Sequence, residues 1–123
     1  MTADPYSITN IQAWKRRFSQ ATDEDHVLAL AREFVASLSR SDRELIQAPP
    51  DAVPFRSADE VLEYALHLTQ LEMSLAWDDV LIGNTIRTVA SLFIEGSKRL
   101  TALSEARVLR RFEEARPQEQ SRD

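Results

Sequence analysis

Apolar residues recur along this chain at intervals of three and four, the period of a helix, and the β-branched residues are scattered instead of gathered into alternating runs. The first stripe is Ile11, Trp14, Phe18 and Ala21, with Lys15, Arg16 and Gln20 left for water. Thr9-Asn10-Ile11-Gln12 has capping-box form and predicts a helix start at Thr9. A second start is expected at Thr22, because Asp23, Glu24 and Asp25 set negative charge against the positive end of a helix dipole. Val27, Leu28, Ala31, Phe34, Val35 and Leu38 then form the cleanest amphipathic face. A brief third helix is expected after Ser41, with Glu44 as its capping partner.

Pro49 and Pro50 stop that helix, since proline lacks an N–H and pushes the preceding residue out of helical geometry. Residues 48–56 therefore form a stiff proline-rich loop, with Val53 and Phe55 expected to fold back onto the protein. Ser57-Ala58-Asp59-Glu60 is the strongest capping box and opens a helix through about Trp77. Its apolar positions cover more than half the circumference, so it is expected to be the central element. A further pattern after Asp79 runs through Ile82, Ile86, Val89, Ala90, Phe93, Leu100 and Leu103. The short connection predicts an antiparallel neighbour. Gly83 and Gly96 predict a break or kink in it, each costing ~1 kcal/mol against alanine inside a helix. A last stretch near Ser104 carries Val108, Leu109 and Phe112, and residues 117–123 read as a frayed polar tail on a single domain of residues 1–116. The expected fold is an all-α bundle of four to five helices.

Composition narrows the chemistry. In 123 residues there is no cysteine, which removes disulfides, thiolate nucleophiles and zinc fingers, and fits a reducing cytoplasmic location. The formal charge of −5 opposes general binding to phosphate backbones or anionic lipid, so nucleic acid is disfavoured. The first ten residues hold no apolar run of secretory type, and no stretch has the length of a membrane span.

No cofactor motif is present: there is no Walker loop, no G-x-G-x-x-G and no G-x-S-x-G, and an enzyme is the less favoured class. His67 shares a helix side with Glu60 and Glu63, yet without any Glu-x-x-His the reading is surface charge and no metal site. Glu72 projects into the apolar arc, where a carboxylate needs a partner, and the antiparallel turn offers Arg87 for a structural ion pair. Lys98, Arg99, Arg107, Arg110 and Arg111 concentrate positive charge on the last third, read either as a solvated face or as an anion or nucleic-acid contact. Leu66 and Trp77 sit at the rim of the central helix's apolar arc, and Leu92 projects away from its own helix's face. These three are expected at a partner interface. The favoured function is a non-enzymatic protein-binding module of adaptor, chaperone or inhibitor type, associating with itself as a homodimer or with another protein. The alternatives are a regulator touching nucleic acid through its basic C-terminal helix, and a small enzyme or ligand-binding protein using Glu72 or His67.

Overall fold

The computed structural model describes residues 10–75 and 80–115. Among these residues there are five helices and no strand: α1 (Ile11–Gln20), α2 (Glu24–Ser37), α3 (Arg40–Leu45), α4 (Ala58–Leu75) and α5 (Val80–Ala115). Trp77 and the tail at 117–123 lie outside the described residues.

The starts of α2, α3 and α4 follow side-chain capping, and those of α1, α2 and α3 differ from the spacing-based expectation. α1 begins behind Asn10 and has no side-chain cap, while Thr9 is outside the described residues. α2 is capped by Asp23, not Thr22, because the carboxylate accepts from the His26 N–H at 2.8 Å and outcompetes a neutral hydroxyl. α3 starts two residues earlier than Ser41, since Ser39 accepts from the Asp42 N–H. At the start of α4 the Ser57 half of the box forms, its Oγ accepting from the Glu60 N–H at 3.4 Å, while the Glu60 carboxylate accepts from the Arg56 N–H at 3.3 Å, one residue before the cap.

α3 ends in a Schellman turn. Gln47 takes a left-handed conformation (φ 51°), the Ala48 N–H donates to the Arg43 carbonyl at 2.9 Å, and the Gln47 N–H donates to the Glu44 carbonyl. The chain then crosses the proline-rich loop and turns inward at Phe55, the other described non-glycine residue at positive φ (58°). Phe55 is fully buried whereas Val53 stays exposed, so one of the two expected loop anchors is a core residue. Arg32 ties the loop down by donating to the Phe55 carbonyl at 3.0 Å.

The core is held by a run of touching rings. Trp14 packs edge-on against Phe34, Phe34 against Phe93, and Phe93 against both Phe55 and Tyr64, with centroids 4.9 to 5.9 Å apart. Each ring comes from a different element, so α1, α2, the loop, α4 and α5 share one apolar cluster. The Tyr64 hydroxyl donates to the Ile46 carbonyl at 2.7 Å, satisfying the end of α3, and burial pushes the phenol pKa well above its ordinary value.

α5 is a single helix of 36 residues, about 54 Å long at 1.5 Å per residue. The expected break at Gly83 or Gly96 and the separate stretch near Ser104 are corrected: one helix runs through all three. Gly96 is there for packing. A Cβ at that position would lie 3.3 Å from Phe18 Cε1, so the missing side chain lets α1 lie close against α5. α4 and α5 form the most extensive helix pair. They run antiparallel, as Glu72 meets Arg87 near the turn and Tyr64 meets Phe93 further along. No described helix is long and apolar enough to cross a membrane.

Candidate interaction face on helices α4 and α5

Leu62, Leu66, Thr69 and Met73 follow one another on α4 at steps of four, three and four, which gathers them within about 60° of arc. Val61, Ala65 and Leu68, on the adjoining side, are buried against the rest of the protein. The result is a second apolar stripe beside the core stripe. Leu66 is 55 % exposed and Met73 66 % exposed, with Leu62 close behind. The spacing that reveals this stripe was visible in the sequence, where it reads as part of one broad core face.

Ile94 of α5 borders the same strip. The Glu72–Arg87 and Tyr64–Phe93 pairs set the antiparallel register, in which paired residue numbers total about 158, so Ile94 stands level with Tyr64, between Leu62 and Leu66. Arg87 marks the outer rim of the helix pair and projects from α5 on the same side as Ile94. Leu62, Leu66, Met73 and Ile94 are thus collected on one side of the α4–α5 pair, while Leu81, 64 % exposed, lies on a different side of α5.

Beyond Leu103 the bundle ends and α5 continues. Every residue from 105 to 115 is exposed, an arm of about 16 Å at 1.5 Å per residue. Val108, Leu109 and Phe112 lie on this arm, and Phe112 is 63 % exposed. The three look like core positions by period alone. The start of α2 reaches the arm at Arg107, through Glu24, and these three side chains lie on other sides of the helix.

Of the residues expected at an interface, Leu66 is open to solvent, Trp77 lies outside the described residues, and Leu92 is fully buried. The expectation for Leu92 is corrected: α5 packs against α1 and α2 as well as α4, and this residue is enclosed among its neighbours. A helical wheel drawn around one apolar stripe cannot show that a second neighbour covers the opposite side.

Glu72 and Arg87 form an ion pair at 3.0 Å. The carboxylate is largely enclosed, at 17 % exposed, and the guanidinium is 65 % exposed, so solvent screens the pair and its contribution to stability is small. His67 Nε2 donates to Gln47 Oε1 at 2.9 Å and its ring stacks on Tyr64, which fixes α4 to the end of α3. Among the described residues no group of three metal-binding side chains is assembled. A groove of about 600 Å³ runs between α2, α3 and the proline-rich loop, and neither Glu72 nor His67 lines it.

The five basic residues of the last third have different company. Arg99 donates from Nε and Nη2 to the Ala21 carbonyl, at 3.0 and 2.6 Å, closing the C-terminal end of α1. Lys98 pairs with Glu95 at 3.6 Å and Arg107 with Glu24 at 3.4 Å. Arg110 and Arg111 are exposed on the arm. At 100° per residue Arg99, Arg107, Arg110 and Arg111 fall within about 120° of arc with Lys98 apart, but Arg99 and Arg107 are engaged with α1 and α2 within the protein.

The geometry therefore defines an all-α bundle with one uncovered apolar face and a projecting helical arm. Compared with family models, curated proteins and solved structures, the chain matches none.

Proposed function

We propose that this chain is a non-enzymatic protein-binding module that associates with a second copy of itself through the outer face of α4 and α5. The observation carrying this reading is the collection of Leu62, Leu66, Met73 and Ile94 on one side, continued by exposed apolar residues on the arm. Isolated surface leucines need no explanation, but a contiguous stripe at coiled-coil spacing, left open beside a well-filled core, is what a helix partner would cover. Affinity comes from burying the stripe, while the charges around it set orientation and suppress wrong registers.

Sedimentation velocity or light scattering over a wide range of protein concentration tests the reading. The expected result is a mass that rises from one copy to two. A mass of one copy at every concentration would overturn self-association. Raising the salt concentration is expected to change the dimer fraction little, because the contact is mainly apolar; binding to nucleic acid that weakens steeply with salt would favour a phosphate contact instead.

A further inference from the structure

The same face carries a pattern that says how two copies fit, and the inference rests on the self-association reading above. On α5 the residues Ser91, Ile94, Lys98, Glu105, Leu109 and Phe112 fall on one side of the helix, within about 60° of arc at 100° per residue. Their numbers are symmetric about the midpoint between Thr101 and Ala102. Ile94 mirrors Leu109, Lys98 mirrors Glu105, and Ser91 mirrors Phe112. Each mirrored pair is complementary: apolar with apolar, positive with negative, and a small serine with a large ring. Thr101 and Ala102 at the centre are both exposed.

We propose that two copies pair antiparallel along α5 about a two-fold axis at Thr101–Ala102, each laying its C-terminal arm over the α4–α5 face of the other. Such an axis sets every residue on this side opposite its mirror in the partner, so the sequence symmetry becomes two sets of matching contacts in one closed, isologous interface. Lys98 of each copy then stands level with Glu105 of the other. The arm also fits what it covers. Residues 105–115, about 16 Å of helix, mirror 88–98 of the other copy's α5, which stand level with 60–70 of its α4, so the arm reaches Leu62, Leu66 and Thr69.

The geometry further assigns a role to Val108, which lies off the centre of the α5 side. A two-fold axis perpendicular to both helices keeps left and right unchanged, so Val108 leans toward the partner's α4, near the level of Leu62 and Leu66. Asp59 and Glu63 flank the stripe on α4, and Arg111 lies beyond Val108 on the same flank of the arm. No third copy is needed, because each arm finds a stripe and each stripe an arm.

The absence of cysteine from the chain makes a direct test available. Thr101→Cys places one thiol beside the axis, where its counterpart in the other copy comes within disulfide reach. Incubated with oxidised glutathione, this variant is expected to give a disulfide-linked dimer on a non-reducing gel, while Ala36→Cys, on the exposed side of α2, stays monomeric. In solution, Phe112→Glu is expected to weaken dimerisation on the order of 30-fold or more, as loss of an interface anchor does. Lys98→Glu and Glu105→Lys are each expected to weaken it, and the double variant to recover. Circular dichroism of each variant checks that the fold is kept. A wild-type dimer whose Thr101→Cys form does not crosslink better than Ala36→Cys, or whose dissociation constant is unmoved by Phe112→Glu, overturns the arm exchange while leaving self-association standing. A wild-type chain that stays single at every concentration overturns both.

Discussion

Replacing Arg99 by methionine separates a structural cation from one held ready for a ligand. Ala21 is fully buried, and its carbonyl accepts both the Nε and the Nη2 protons of Arg99 across 78 positions of sequence. The Arg99→Met change keeps most of the apolar stem and removes both donors. A buried carbonyl left without a partner costs about 1–3 kcal/mol, and a hydrogen bond from a charged donor contributes in the same range. The two donors share one acceptor, so the losses overlap, and about 2 kcal/mol is expected. With an m-value of about 1.5 kcal/mol per molar urea for a chain of this size, the unfolding midpoint should fall by about 1.3 M, with m unchanged. The comparison is made at one protein concentration, so that association contributes equally. Arg99→Lys should lose less, since an ammonium can still donate to the carbonyl. Salt should alter the difference little, because the acceptor carries no net charge. A midpoint shifted by less than about 0.3 M would refute the assignment, since ~0.5 kcal/mol is the range of surface substitutions away from any specific contact.

Other consequences follow from the packing. Gly96→Leu should destabilise by about 1–3 kcal/mol, read from the urea midpoint, because the added atoms meet the buried ring of Phe18. Leu92→Ala should cost about 2–5 kcal/mol as a core truncation, whereas Leu66→Ala should change unfolding by less than about 0.5 kcal/mol and act on association instead. The Tyr64 phenol has its pKa raised by burial, so above its ordinary value of 10.0 the unfolded chain releases that proton while the folded chain keeps it. Stability must then fall as pH rises past 10, by about 1.4 kcal/mol per pH unit for this one group, and be unaffected by it at lower pH. Subtracting the pH profile of Tyr64→Phe isolates this slope; equal slopes in both proteins would show that Tyr64 is not the source.

The uncovered face explains why period alone assigns core positions too generously. Val108, Leu109 and Phe112 share helical spacing and apolar chemistry with Ile86, Val89 and Phe93, although charged residues are far denser around them. The difference is the length of the other helices. α4 runs back along α5 for 18 residues, and α5 outlasts it. Leu92 shows the reverse case, a residue outside the main stripe that is enclosed because α5 has neighbours on more than one side.

Local chemistry was enough to specify the all-helical class, the stop at Pro49 and Pro50, the start at Ser57, and the burial of most of the α2 stripe, because propensity, capping and period act within a few residues of chain. The unbroken course of α5 through two glycines was settled by tertiary packing, since the close fit of Phe18 on Gly96 depends on a residue 78 positions away. So were the inward turn of Phe55, the use of Arg99 to close α1, and the division of one broad apolar arc on α4 into a buried side and an open one. Each depends on which elements come to lie beside which, and that is decided by helix lengths and distant side-chain volumes that no local window contains.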